Sequence, residues 1–197
     1  DLRYYRGEHY STVNDLLGGD YFIDFENAND NDPMKVVGDT IGYHNDAFVR
    51  WGGLFVLMEY KNHRINTFLN LSTVVQDYKR MDYFNLPENQ SSGDSSTGTW
   101  YNNSSWKRIP GYTIKAGGNL NLNEWTDIFV NMGHLNRTPV FSNVIDYSNS
   151  YVANIQNEKI NSIELGFKWS KYPFSTNLNT YYTWHLKFNT LFTTIND

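Results

Sequence analysis

The chain has 197 residues, a formal net charge of -5 and a pI near 5.5. That length holds one domain with a sizeable core and does not demand two. The 16 Lys and Arg are scattered, which argues against a nucleic-acid partner, and the absence of Cys excludes disulfides, thiolate metal sites and a cysteine nucleophile.

Aromatic residues make up 17% of a chain whose mean hydropathy is only -0.59. Aromatic-rich strands joined by Asn-rich polar turns fit both numbers. The longest uncharged apolar stretch, Trp51 to Met58, is too short for a membrane helix. A β-barrel with one polar face keeps its average hydropathy low and needs no such run.

In chain order, residues 1–8 read as a strand; Asp1-Leu2-Arg3-Tyr4-Tyr5 lacks the basic and apolar regions of a signal peptide. A short turn of helix is expected over 9–18, ending at Gly18-Gly19. Strands follow near 44–61 and 63–81. In the first, Leu54, Val56, Met58 and Tyr60 oppose Gly53, Phe55, Leu57 and Glu59. In the second, Ile65, Leu69 and Leu71 oppose Arg64, Asn66, Asn70 and Ser72. The stretch Asn89 to Thr99 is low in complexity and reads as a loop tip.

Strands resume over 106–122 and 126–136. Tyr112, Ile114, Ala116, Leu120 and Leu122 oppose Thr113, Lys115, Asn119 and Asn121, and Ile128, Val130 and Met132 oppose Asp127, Phe129 and Asn131. The last pair covers 158–170 and 174–184. There Ile163, Leu165, Phe167 and Trp169 alternate strictly with Ser162, Glu164, Gly166 and Lys168. The sum is an all-β, antiparallel, up-and-down meander of about seven long strands.

Tight turns are expected at Lys61-Asn62-His63, Asn123-Glu124-Trp125 and Lys171-Tyr172-Pro173, and long polar connections at 10–42, 82–105 and 137–157. In a meander, alternate connections lie at the same end. All the short turns therefore share one end and all the long loops the other, the asymmetry of an outer-membrane barrel with its long loops outside the cell.

The ordered segments Tyr4 to Tyr10, Asp15 to Tyr21, Val49 to Phe55, Tyr78 to Phe84, Asn131 to Pro139 and Asn157-Glu158-Lys159 running into Glu164-Leu165-Gly166 carry a family texture. They resemble the barrels of TonB-dependent outer-membrane receptors, particularly those of Bacteroidetes-type bacteria, over roughly residues 1–183. The resemblance implies a bacterial outer-membrane location and a barrel of roughly 22 strands closed by a plug. It also implies energy delivered by TonB and import of a metal chelate or other small molecule, a glycan or a peptide. Residues 1–197 would then be a partial barrel domain, an incomplete piece without plug domain or TonB box. The tail from Trp184 to Asp197 departs from the family pattern.

Under that reading Arg64, Asn66, Lys115, Asn119, Glu164, Lys168, Asn177 and Asn179 line the lumen, keeping it polar and facing the plug. Ile163, Leu165, Phe167, Leu120 and Val130 face outer-membrane lipid. The loop aromatics Trp100, Tyr101, Trp106, Tyr147 and Tyr151 are candidate ligand contacts, since exposed rings stack on sugars and other flat groups; they could equally form an interfacial girdle.

No catalytic constellation is evident, no cofactor is expected and no enzyme activity is assigned. His9, His44, His63, His134 and His185 form no HxH or HExxH pair and read as strand-end and loop residues. The acidic stretch Asp24 to Asp32 offers oxygen ligands but lacks the Gly and terminal Glu of a calcium loop, so a solvated loop is the simpler reading. The competing functions are a soluble β-sandwich that binds carbohydrate and an enzyme on a β-scaffold. A sandwich would cover the apolar rows with a second sheet; a membrane barrel would not.

Overall fold

The computed structural model describes residues 1–22, 29, 30, 32–85, 92–94 and 99–186, with backbone alone at 92–94, 99 and 100. Eleven strands occur in chain order: β1 (Leu2–Thr12), β2 (Tyr21–Phe22), β3 (Met34–Lys35), β4 (Thr40–Lys61), β5 (Ile65–Asp82), β6 (Ser92–Asp94), β7 (Thr99–Asn103), β8 (Lys107–Asn123), β9 (Thr126–Arg137), β10 (Glu158–Lys171) and β11 (Phe174–Leu186).

Seven of them build one antiparallel sheet in the order β1-β4-β5-β8-β9-β10-β11, curled into a half-barrel. Each long strand pairs with the next long strand in sequence, so the meander expected from period two is the observed topology. The pair β6–β7 extends the sheet at the end of β5, through Met81 opposite Asn103 and Asp82 opposite Asn102. The two-residue strands β2 and β3 pair with each other.

Two of the three short turns are closed by asparagine. Asn62 Oδ1 accepts the backbone N–H groups of Arg64 and Ile65, each at 2.8 Å. Asn123 Oδ1 accepts that of Trp125 at 2.9 Å. Such side chains mimic the backbone of a turn and free the chain to reverse within two or three residues.

The helical turn expected over 9–18 is absent. β1 continues through Thr12, pairing His9 with Asn45, Tyr10 with His44 and Thr12 with Thr40. The long partner β4 outcompetes a weak local helical signal, because each added residue gains a ladder bond and cross-strand contacts. The strand expected to end near residue 184 runs to Leu186, and the rest of the tail, 187–197, lies outside the described residues.

Little of this structure is interior. Among the described residues the one cluster of buried apolar side chains comprises Tyr78, Ile109, Val144 and Ile145, with Val49, Phe141, Tyr151 and Ile155 packed against it. It sits where the 138–157 connection, containing the short 3-10 turn Phe141–Asn143, folds back onto β4, β5 and β8.

Candidate functional site

Pairing register decides which side chains share a face, because directly opposed residues point the same way. Val56 lies opposite Leu71, and Leu71 opposite Ile114. Leu120 lies opposite Ile128, and Ile128 opposite Phe167. Leu165 lies between Val130 and Thr180. One continuous face therefore collects the apolar rows of all the long strands. From Gly52 to Tyr60, Ile65 to Val75, Pro110 to Leu122, Ile128 to Met132 and Ile163 to Trp169, no position on this face carries a charge.

These side chains are open: Leu54 is 75% exposed, Leu178 67% and Leu165 50%. Across the described residues, 37 large hydrophobic side chains are exposed against seven hydrophobics that are buried. A water-facing monomer does not sustain that ratio, so these faces need hydrocarbon or more protein against them.

The apolar belt ends abruptly. Toward the long-loop end the next row on the same face is Tyr4, Arg50, Asp77 and Arg108, each opposite the next across four strands. Farther along β9 and β10, His134 and Asn161 take the corresponding place above Met132 and Ile163. Beyond the row lies a polar cluster in which Asp46, fully buried, accepts Arg6 Nη2 at 2.7 Å and Tyr83 Oη at 2.8 Å. Burial, reinforced by that bond and by the Asp46 charge, pushes the Tyr83 hydroxyl up to about 12. At the opposite end, aromatics cluster by the tight turns: Tyr60, Trp125, Tyr172 and Phe174 are exposed, and Lys171 Nζ lies 4.3 Å from the Trp125 ring centre.

The other face carries the polar rows and is more covered, although Phe55, Leu57 and Tyr181 are exposed on it. Asn66 lies opposite Asn119, Asn70 opposite Lys115, and Lys168 opposite Asn177. Asn131 Nδ2 donates to Glu164 Oε2 at 3.0 Å across the β9–β10 pair, and Asn119 Nδ2 to Asn121 Oδ1 at 2.6 Å. Seven of the eight residues expected on one polar row, Asn66, Lys115, Asn119, Glu164, Lys168, Asn177 and Asn179, do share this face. Arg64 lies just before β5, in the turn. Glycine makes room for rings here. Phe129 lies over its opposite residue Gly166, and Phe68 over Gly117. Beside them runs a groove of about 540 Å³ whose lining includes Glu59, Lys61, Asn66, Asn119 and Asn131.

At the long-loop end, the 138–157 connection covers this polar face. Tyr78 Oη donates to the Pro139 carbonyl at 2.7 Å, Thr138 bonds Gln76, and Arg80 Nη1 donates to the Asp146 carbonyl at 2.6 Å. The Asp146 carboxylate accepts the backbone N–H groups of Ser148 and Ser150 and holds the tip of the fold. Val144 of this connection, with no exposed surface, packs into the cluster with Tyr78 of β5 and Ile109 of β8.

Comparison with protein families, curated proteins and solved structures gives no match.

The five candidate aromatics do not converge. Trp106 belongs to the apolar-belt side, its ring 6.5 Å from Phe48 and 3.9 Å from the Arg50 guanidinium. Tyr101 packs against Tyr83 at 6.3 Å. Tyr151 bonds the Ser105 carbonyl and pairs with Ile145, whereas Tyr147 is 93% exposed at the loop tip. Trp100 lies in β7, opposite Gly93. Of the acidic stretch, residues 24–28 and 31 lie outside the described residues; Asp30 pairs with Lys35 Nζ at 2.5 Å. Among the histidines, His44 meets Glu8 at 2.9 Å, His185 meets Glu158 at 3.0 Å and His134 meets Asn161 at 2.6 Å. Among the described residues no cluster of three metal-ligating side chains exists.

Two elements escaped the sequence. The row Tyr4-Arg50-Asp77-Arg108 is assembled from four strands and has no local signature, although Arg50 does share the even parity of Leu54 to Tyr60. The cover formed by 138–157 has no periodicity to announce it.

Proposed function

We propose that this chain forms part of a transmembrane β-barrel of a bacterial outer membrane, its apolar face against lipid and its polar face toward the lumen. The observation that carries the reading is the charge-free belt ending on one charged row. On β8 the belt runs from Pro110 to Leu122, about 40 Å along the strand at 3.3 Å per residue. Tilted by about 40°, that is roughly 30 Å of height, the thickness of a hydrocarbon core. A sandwich would need a second sheet on that face; among the described residues the only other sheet is the β2–β3 pair.

The finer reading is a segment of a TonB-dependent receptor that imports a nutrient or metal chelate. It rests on the ordered sequence resemblance, on short turns gathered at one end, and on a long connection that folds over the polar face as a constriction would. The Asn-rich polar face suits contact with a plug or with water.

Because the sequence has no Cys, single cysteines can be introduced cleanly. Cysteines at Val56, Leu71 and Leu165 should react with a membrane-dissolved probe in native outer membranes. Cysteines at Lys115 and Glu164 should react only with a water-soluble one. Equal labelling of both sets by the soluble probe, or a folded monomer obtained without detergent or lipid, would overturn the membrane reading. For the receptor reading, uptake by the intact protein should stop when TonB is deleted while ligand binding persists; TonB-independent uptake would remove it.

A further inference from the structure

The charged row above the apolar belt is not balanced. With the row behind it, this patch gathers Arg6, Arg50, Lys79 and Arg108 around the single carboxylate of Asp77. Asp77 spends both oxygens on Arg108, at 2.8 and 3.1 Å, although it also stands opposite Arg50. Arg6 is taken by Asp46, behind the patch. Arg50 and Lys79 are left facing aromatic rings: Arg50 over Trp106 at 3.9 Å, and Lys79 Nζ 5.7 Å from Phe48 and 5.8 Å from Trp106. Among the described residues neither makes an ion pair, although Asp77 stays within electrostatic reach of Arg50. On a chain of net charge -5 this is a local excess of positive charge held in place by stacking.

Directly below lies a groove of about 490 Å³. Its floor is Gly52, which stands opposite both Leu2 and Val75 and presents no side chain. Its walls are Leu2, Tyr4 and Val75, and its upper end is closed by Arg50, Asp77 and Arg108. The groove is thus apolar toward the middle of the belt and charged at the rim, where the two guanidiniums outnumber the one carboxylate. A Cβ on Gly52 would already crowd Leu2 Cδ2 at 3.1 Å, so the groove depends on glycine at that position.

We propose that this groove binds a phosphorylated lipid of the surrounding leaflet, with the phosphate between Arg50 and Lys79 and an acyl chain laid over Gly52. The proposal rests on the membrane reading above. The Arg50 guanidinium and the Lys79 ammonium, neither of them ion-paired, supply the charge, and their ring contacts hold them at the height where the belt ends. Arg108, though paired, lends a second fork of donors. The apolar groove supplies a slot of the right polarity and direction for hydrocarbon. An acidic protein partner would meet the same cations but would not use the groove.

The test takes the intact protein in vesicles of a zwitterionic phospholipid, with or without an added anionic phospholipid. Insertion is scored first, by protection of a cysteine at Leu165 from a soluble reagent. Lipid retention is then read by native mass spectrometry and by the shift in thermal unfolding. The wild type should retain the anionic lipid and gain stability from it; inorganic phosphate alone should give no shift. Each surface cation contributes about fivefold to affinity for an anionic leaflet, so R50Q/K79Q should weaken retention roughly 25-fold. Gly52→Leu should weaken it while leaving both charges in place. The inner-face variant Lys115→Gln should behave as wild type. Insertion with equal retention by wild type and R50Q/K79Q would overturn the lipid site and leave the membrane reading standing. Failure to insert would overturn both. A stability shift produced by inorganic phosphate alone would reduce the site to a simple anion site and overturn the lipid assignment.

Discussion

Gly166→Ala probes how the polar face is packed. Gly166 stands opposite Phe129, and a Cβ added there would meet three atoms of the Phe129 ring, Cδ1 at 2.6 Å. The obstacle is the far part of a side chain, so the ring can swing aside. It must then leave its rotamer, at about 0.5–1.5 kcal/mol, and lose contact with the β10 backbone, for a total near 1–2 kcal/mol of destabilisation. Removing the ring removes the obstacle. In a Phe129→Ala background the same Gly166→Ala change should stabilise by about 0.5–1 kcal/mol, because alanine loses less backbone freedom than glycine on joining a strand. The sign of the effect therefore reverses between the two backgrounds, a coupling of roughly 2 kcal/mol. Equilibrium urea unfolding, followed by tryptophan fluorescence in the detergent or lipid that keeps the chain folded, measures all four variants. An equal cost of Gly166→Ala in both backgrounds would refute the packing argument.

Three further expectations are separate. Tyr78→Phe deletes the buried bond to the Pro139 carbonyl and should cost about 1–3 kcal/mol; hydrogen exchange should rise in 138–157 before it rises in β5, and uniform exchange across both would contradict it. Leu165→Arg, in the middle of the apolar stretch of β10, should cost about 2–4 kcal/mol of stability in lipid, against less than about 0.5 kcal/mol for Lys115→Gln; similar costs for the two would count against a lipid-facing belt. Tyr83 should ionise near pH 12 rather than 10, read as phenolate absorbance lost in Tyr83→Phe. Its hydroxyl is favoured neutral in the fold, so its stabilising share is complete below pH 10 and disappears as pH rises through about 12; titration at the ordinary value would show that Asp46 does not hold it.

The strands were legible because period two is a local property. Ser162 to Trp169 alternates so strictly that only one register of burial suits it. The tight turns were legible for the same reason, since Asn62 and Asn123 bond residues two or three positions away. Contacts spanning long separations were not. Tyr78 and Pro139 are 61 residues apart, and Arg80 and Asp146 66 apart, and neither segment has a pattern that points to the other. The end of β1 was misread because His9 to Thr12 is locally ambiguous and only the facing residues of β4 decide it. The loop aromatics were legible as aromatics but not as neighbours: Trp106 packs against Arg50, whereas Tyr147 stands exposed at the tip of 138–157.

The sorting of connections also governs where this chain can change. Closing a flexible connection costs entropy that rises only logarithmically with its length, about 0.6 kcal/mol per doubling. Exposed loop tips such as Tyr147 can therefore be lengthened or rewritten at small cost, whereas the part of 138–157 packed around Val144 and Ile145 cannot. The turns at Asn62 and Asn123 are fixed to the residue by the bonds that close them. Divergence is cheap at the exposed tips of one rim of the sheet and expensive at the other, so related chains should differ most at positions such as Tyr147, while the strands, the packed part of 138–157 and the opposite rim stay recognisably alike.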